Sequence, residues 1–189
     1  MAVKAIIFDC FGVLYTDGKS RIVELCPPEN RQALDDVFLQ ADYGFISSDE
    51  FSEAAADLLG ISRADLAAAT EGLYRRNEPL IQKVREYRQQ YKIGLLSNVN
   101  ESFVDDLFSS EEQAALFDTV VLSSKVGMVK PSTGIYLLTA ERLGVEPSEC
   151  IMTDDLEKNV AGAESAGMKG VLFTSTGELD VRIKELLDA

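Results

Sequence analysis

Apolar positions along the chain fall into short continuous runs separated by longer stretches of helical periodicity. Residues 3–8 form the first run, which predicts a buried strand that stops at Asp9. Four later runs of the same kind predict strands at residues 93–97, 119–122, 151–153 and 170–173. Helical segments alternate with these later strands, so the pattern predicts an α/β fold, a Rossmann-like core in which helices cover both faces of a parallel sheet.

The stretch between the first two strands, residues 28–90, shows helical periodicity and no strand of comparable strength. It is far longer than a simple crossover between parallel strands needs. We therefore expect a small helical cap domain inserted into the core. The expected division is a discontinuous core of residues 1–15 and 91–189, with a cap of residues 16–90.

Two helices inside this insertion have clear start signals. Ser47-x-x-Glu50 is a capping box that opens a helix ending at Gly60, and Ser62 can cap the next helix. An earlier helix is expected to bury an apolar stripe of Ala33, Val37 and Leu39.

Composition narrows the chemistry that the chain can support. Its 189 residues include 18 basic and 32 acidic side chains, a net charge of −14, and no histidine. Without histidine there is no Ser-His-Asp triad, no Cys-His dyad and no His-ligated zinc. The cationic residues form no dense run, which argues against nucleic acid and anionic membrane surfaces as partners. No apolar run approaches the roughly 18 residues of a membrane span.

The cysteines and the N-terminus indicate a cellular compartment. Cys10, Cys26 and Cys150 are odd in number and lack metal-site spacing, so a reduced, cytoplasmic protein is the simplest interpretation. The first apolar segment is too short and too quickly followed by an acidic residue for a signal peptide.

Polar side chains follow the strands at the ends where parallel sheets bind ligands. They are Asp9 after the first strand, Ser97 and Asn98 after the second, Lys130 in the loop after the third, and Asp154 and Asp155 after the fourth. Each alone is readily explained as a turn or cap residue, but their order on successive strand ends favours a shared site. Several carboxylates together need a cation, and oxygen ligands without histidine favour magnesium.

Four segments around these residues match known motifs. They read Ile-Ile-Phe-Asp9-Cys-Phe-Gly-Val-Leu, Leu-Leu-Ser97-Asn, Gly127-Met-Val-Lys130-Pro, and Met-Thr-Asp154-Asp155 with Asn159 and Gly167-Met168. In this order they resemble the motifs of the haloacid dehalogenase-like hydrolase superfamily, most of whose members are magnesium-dependent phosphatases. The resemblance spans the chain, and the insertion is similar to the small cap of subclass I. The chain most resembles small bacterial sugar-phosphate phosphatases, including the glucose-1-phosphate phosphatase type.

The resemblance implies a role for each residue. Asp9 is the nucleophile that forms an aspartyl phosphate, and magnesium is held by Asp9, the Phe11 carbonyl and Asp155, with Asp154 direct or through water. Two further residues bind the phosphoryl oxygens, Ser97 through its hydroxyl and Asn98 through its backbone N–H. Lys130 offsets the remaining negative charge and orients the nucleophile. The substrate is then a small phosphorylated molecule.

One position departs from the family pattern. Most of these phosphatases carry a second Asp two residues after the nucleophile, which acts as general acid and base, and here that residue is Phe11. General acid–base catalysis is typically worth about 10²–10⁴-fold, so its loss is serious unless another group compensates. Asp17 and the cap carboxylate Asp42 are the alternatives for the base.

Two other functions stay open on the sequence. A catalytically weak or inactive phosphate-binding or regulatory protein is favoured by Phe11 alone. A 2-haloacid dehalogenase also has an aromatic residue at that position, but the acidic pair argues against it. Four aromatic residues, Tyr15, Tyr43, Phe45 and Phe51, are candidates for a substrate entrance, although aromatics in a helical stripe more often belong to a core. The sequence does not indicate an oligomeric state.

Overall fold

Five parallel strands form one sheet at the centre of the molecule. The structure is a computed structural model that describes residues 2–188, apart from the side chains of residues 101 and 102. Its strands are β1 (Ala5–Phe8), β2 (Lys92–Ser97), β3 (Thr119–Leu122), β4 (Cys150–Asp154) and β5 (Lys169–Leu172). Their order across the sheet is β3-β2-β1-β4-β5, and every pair is parallel. The predicted Rossmann-like α/β fold is confirmed.

The central strand brings the predicted site residues to one edge. All four residues of β1 are buried, and Phe8 pairs with Leu95 of β2 on one side and with Thr153 of β4 on the other. This register places the residues that follow Phe8, Leu95 and Thr153 at the same end of the sheet. The chain order reverses at β1, which is where open parallel sheets form a ligand crevice.

The helices divide between the core and the insertion. Those of the insertion are α1 (Lys19–Leu25), α2 (Arg31–Asp42), α3 (Ser48–Leu59) and α4 (Arg63–Thr70). The remaining helices are α5 (Glu78–Tyr87), α6 (Glu101–Leu107), α7 (Ser110–Leu116), α8 (Ser123–Val126), α9 (Thr133–Leu143), α10 (Glu157–Ser165) and α11 (Thr176–Leu187). Short 3₁₀ turns occupy Pro28–Asn30 and Pro147–Glu149. No helix in the described part of the chain is long and apolar enough to cross a membrane.

Alternation along the strands creates two hydrophobic layers. Ile6 and Phe8 face a layer that includes α5 and α11, whereas Ile7 faces a layer built on α9. Tyr136 of α9 is the largest fully buried side chain of that second layer, and its hydroxyl donates to the Asn159 carbonyl at 2.7 Å. The sheet is therefore buried on both faces, as its continuous apolar strands require.

The insertion has a small core of its own, and one expectation about it is wrong. Leu34 is the buried residue of α2, while Ala33 and Leu39 of the expected stripe are exposed. Phe38 lies one turn after Leu34 and packs its ring on Phe51 of α3, with centroids 5.1 Å apart. The i, i+4 pair therefore sets the buried face of this helix.

Backbone hydrogen bonds join the two chain segments at the ends of the insertion. The segment that enters the insertion and the segment that returns to the core run side by side. The Thr16 N–H donates to the Arg75 carbonyl and the Asn77 N–H donates to the Leu14 carbonyl, both at 2.9 Å. Helix α5 then contributes Ile81 and other residues to the layer that covers β1. We propose on this packing that the cap spans residues 17–74, with α5 belonging to the core.

Candidate active site

Three carboxylates meet at the carboxyl edge of β1 and β4. Asp9 follows β1, Asp154 ends β4 and Asp155 comes next, and one oxygen from each lies within 4.8 Å of the others. Asp154 is fully buried and Asp9 is 6% exposed, while Asp155 is partly exposed. Adjacent parallel strands bring their ends together, which is why residues 145 positions apart in sequence share one site.

A single ammonium group lies between two of these carboxylates. Lys130 Nζ is 2.9 Å from Asp9 Oδ1 and 2.6 Å from Asp154 Oδ2, and the lysine is only 4% exposed. The Cys10 N–H also donates to Asp9 Oδ1, at 2.6 Å. Both contacts are to Oδ1 of the Asp9 carboxylate.

The backbone of Lys130 is held by the side chain of Asn98. Asn98 Nδ2 donates to the Lys130 carbonyl at 3.0 Å, and the Lys130 N–H donates to Asn98 Oδ1 at 2.8 Å. The family resemblance implied a role only for the backbone N–H of Asn98, and this use of its side chain was not predicted. The following Pro131 lies directly before Ser132, the N-cap of α9.

The Asp154 carboxylate accepts hydrogen bonds from two residues that follow it closely in sequence. Its Oδ1 accepts from the Leu156 N–H at 3.0 Å and from Asn159 Nδ2 at 2.9 Å. Asn159 is itself 3% exposed and is the first buried residue of α10. The acidic pair therefore contains one rigid carboxylate, Asp154, and one that reaches the cleft, Asp155.

The site carries more negative charge than its lysine offsets. Burial raises the pKa of Asp9 to about 7, with Lys130 opposing the shift and Asp154 adding to it. Burial and the neighbouring Asp154 also raise the pKa of Asp155. Burial alone would lower the pKa of Lys130, but Asp9 and Asp154 hold it above its usual value. A hard divalent cation fits this set of oxygen donors.

The remaining predicted residues lie around this cluster. Ser97 is buried at the end of β2, next to β1. Phe11 is part of a three-ring cluster, with its ring centroid 5.6 Å from that of Tyr74 and 5.3 Å from that of Phe103. The side chain two residues after Asp9 is thus engaged in aromatic packing and offers no proton donor.

Gly12 lies against the acidic pair in a conformation that favours glycine. Its φ is +80°, and a Cβ at this position would lie 2.2 Å from Asp155 Oδ2. Gly72 has a similar φ of +69° with nothing within 4 Å of its Cβ position. Comparing substitutions at Gly12 and Gly72 therefore separates the cost of the backbone conformation from the cost of a clash with the Asp155 carboxylate.

We expect Gly12→Ala to destabilise the protein more than Gly72→Ala. Both variants carry the cost of a left-handed alanine, about 1–2 kcal/mol, and Gly12→Ala adds the clash with Asp155, a further ~1–3 kcal/mol. Urea unfolding of both variants measures the difference. Equal unfolding free energies for the two variants would contradict the close approach of Gly12 to Asp155.

The two candidate bases lie in different surroundings. Asp17 accepts hydrogen bonds from the N–H groups of Lys19 and Ser20, the first two residues of α1, at 2.8 and 3.2 Å. Asp42 is the last residue of α2 and is mostly buried at the cap–core boundary.

The four candidate aromatic residues lie in different places. The ring of Tyr15 packs on Phe108 in the core, and the ring of Phe51 packs on Phe38 in the cap. Tyr43 and Phe45 stack on each other at the cap surface, and Phe45 is 74% exposed.

Comparison with known proteins places the chain in a family. A family model described as haloacid dehalogenase-like hydrolase matches residues 3–167. Phosphatase MT3486 of Mycobacterium tuberculosis is 30% identical over 201 residues, covering 94% of this chain and 90% of that protein. Fructose-1-phosphate phosphatase YqaB of Escherichia coli is 26% identical over 124 residues, covering 65% of this chain and 66% of its own length.

A solved structure shares the fold over nearly the whole chain. The HAD family enzyme BT-2542 of Bacteroides thetaiotaomicron, in complex with magnesium and inorganic phosphate, superimposes with a TM-score of 0.73. The two chains are 23% identical, and the match covers 92% of this chain and 95% of the other.

Proposed function

The chain belongs to the haloacid dehalogenase-like hydrolase family, and from this premise we propose that it is a magnesium-dependent phosphatase of small phosphomonoesters such as sugar phosphates. The observation that carries the proposal is the group of Asp9, Asp154 and Asp155 around the single cation Lys130. Relatives named as phosphatases, and a shared fold that was solved with magnesium and phosphate, support the same assignment.

In this proposal, Asp9 attacks phosphorus and forms an aspartyl phosphate. Its Oδ1 is held by the Cys10 N–H and by Lys130, which leaves Oδ2 to form the new bond. The ammonium of Lys130 offsets charge as a phosphate dianion approaches a carboxylate. Water then attacks the aspartyl phosphate, the bond to Asp9 breaks, and inorganic phosphate leaves.

Phosphoryl oxygens are bound beside the nucleophile. Ser97 ends the strand next to β1, and we assign its hydroxyl and the Asn98 N–H as donors to these oxygens. The Asn98 side chain acts on Lys130 instead, since its amide brackets the lysine backbone. Asn98 therefore connects the binding of phosphoryl oxygens, through its N–H, with the position of Lys130, which offsets their charge.

Asp9, Asp155 and the Phe11 carbonyl would hold magnesium, with Asp154 direct or through water. Three carboxylates with one ammonium leave room for a divalent cation in the charge balance of the site. When bound, magnesium neutralises charge that develops on the transferring phosphoryl group.

Phe11 is the one observation that favours a second function. A protein that binds phosphate with magnesium but turns over no ester would need no proton donor at that position. Phosphate release from p-nitrophenyl phosphate and glucose 1-phosphate distinguishes the two. Activity that EDTA leaves unchanged would overturn the proposed phosphatase mechanism.

We expect Asp155→Asn to raise the magnesium concentration needed for half-maximal activity. The change removes a charged ligand, and disturbing even the groups that support metal ligands typically costs 10–100-fold in metal affinity, so we expect at least about that loss. Activity titrated against magnesium gives the measurement. Asp106→Asn, on the exposed surface of α6, is the matched control. A variant with the wild-type magnesium dependence would remove Asp155 from the ligand set.

A further inference from the structure

The proposed reaction requires a proton at the leaving oxygen, and the strand that carries the nucleophile does not provide one. Phe11 occupies the relevant position and packs with Tyr74 and Phe103. An alkoxide is a poor leaving group, so a sugar phosphate needs a general acid. The donor has to come from elsewhere around the cleft.

Asp17 is poorly suited to this role. Its two carboxylate oxygens accept hydrogen bonds from the Lys19 N–H, the Ser20 N–H and the Ser20 hydroxyl, at 2.8, 3.2 and 2.9 Å. These contacts hold the Asp17 side chain against the first turn of α1.

Two hydrogen bonds through Ser123 connect the Asp42 backbone to the loop that follows the proposed phosphate-binding residues. The Ser123 hydroxyl donates to the Asp42 carbonyl, and the Ser123 oxygen accepts from the Val99 N–H at 3.0 Å. Val99 lies two residues after Ser97. One fully buried serine thus joins the C-terminal end of α2, where Asp42 lies, to the loop after β2.

Three lysines from three elements act on the Asp42 carboxylate. Burial raises the pKa of Asp42 to about 6, and the charges of Lys19, Lys130 and Lys158 oppose this shift. Lys130 belongs to the catalytic cluster and Lys158 to the start of α10. The Lys19 ammonium lies 4.2 Å from the ring centroid of Phe38, which precedes Asp42 by one helical turn. The charge of Lys130, which contacts Asp9 and Asp154, therefore also acts on the Asp42 carboxyl group.

We propose that Asp42 is the general acid and base of this site, supplied by the cap in place of the residue that Phe11 replaces. This inference rests on the proposed phosphatase function. It explains how a chain with an aromatic residue beside its nucleophile can still cleave esters of poor leaving groups.

Both half-reactions balance with this assignment. As the Asp9 oxygen bonds to phosphorus, the bond from phosphorus to the leaving oxygen breaks, and the proton of Asp42 passes to that oxygen to give an alcohol. In the second step water bonds to phosphorus and gives its proton to the Asp42 carboxylate. The bond from phosphorus to Asp9 breaks, and phosphate leaves with Asp42 protonated again.

The test is the dependence of rate on leaving-group acidity in Asp42→Asn. We expect kcat/KM to fall by about 10²–10⁴-fold with phenyl phosphate, because general acid catalysis typically supplies that factor. With 2,4-dinitrophenyl phosphate, whose phenolate leaves unaided, we expect the loss to be far smaller. Asp35→Asn, on the exposed face of the same helix, is the control and should retain wild-type rates with both esters.

A second readout concerns the base. With 2,4-dinitrophenyl phosphate, Asp42→Asn should release one equivalent of phenolate rapidly and retain phosphate on Asp9, because the water step now lacks its base. Asp42→Ala serves as an independent variant, and the melting temperature of each variant establishes that it is folded. The kcat/KM ratio of wild type to variant for phenyl phosphate should fall as pH rises through about 6, because only protonated Asp42 is an acid.

The outcomes separate the two proposals. If the wild type releases phosphate from none of these esters, the proposed function fails. If the wild type is active and folded Asp42 variants lose the same factor with both esters, or lose nothing, the phosphatase assignment stands and the role of Asp42 is overturned.

Discussion

We expect Asp9→Asn to lose at least about 10⁴-fold of its phosphatase activity, because the variant lacks the nucleophile on which the proposed covalent step depends. The same change should stabilise the metal-free fold. Asp9 is buried beside Asp154, and burial raises its pKa to about 7, so its charged form is costly in the folded state. An amide has nearly the same shape and no charge.

The pH dependence of this stabilisation has a definite sign. The ordinary pKa of the carboxyl is 3.8, and the folded protein releases the Asp9 proton only near pH 7. Between these values the folded state binds more protons than the unfolded state, so wild-type stability falls as pH rises through about 7. The amide of the Asp9→Asn variant does not titrate, so the advantage of the variant should grow from about pH 4 to pH 7.

Urea unfolding in EDTA at pH 5 and pH 8 provides the measurement, alongside phosphate release with magnesium. Magnesium should raise the stability of the wild type more than that of Asp9→Asn, since the variant lacks one charged ligand. Asp106→Asn is again the surface control. A variant that keeps wild-type activity, or that is less stable than wild type at pH 8 in EDTA, would contradict the role given to Asp9.

Much of the fold follows from local patterns that a sequence displays. The strands are continuous apolar runs, and the capping box at Ser47 and Glu50 is present with Gly60 in the left-handed conformation at the helix end. Helices α1, α7 and α8 were not predicted, because each spans about two helical turns or fewer and shows little periodicity.

The site residues were predictable where they end a strand. Asp9, Ser97 and Asp154 each interrupt an apolar run, and parallel register then brings such residues to one edge. Gly12 and the Asn98 side chain were not predictable, because their roles depend on the approach of Asp155 and of the Lys130 backbone from distant parts of the chain. Tertiary approach leaves no periodic signal in the sequence.

Lys130→Met should be the most destabilising of these variants. The lysine is 4% exposed and is the ammonium that bridges Asp9 and Asp154, so its removal leaves buried carboxylates without a cation. Removing one partner of a buried ion pair typically costs about 3–5 kcal/mol. Activity should also fall on the order of 10²–10³-fold, because the variant loses a group that stabilises developing negative charge.

Lys184→Met separates burial from the loss of a salt bridge. Lys184 Nζ lies 2.7 Å from Asp180 Oδ2, a distance similar to that in the Lys130 pair, but its side chain is 60% exposed. An exposed pair is worth about 0–1 kcal/mol, so this variant should unfold close to wild type. Without Lys130, the folded pKa of Asp9 rises further, and the deficit of Lys130→Met should shrink as pH falls toward 4. Equal unfolding free energies for the two variants at pH 8 would show that the carboxylates do not depend on this lysine. That result would also contradict the charge balance on which the proposed magnesium site rests.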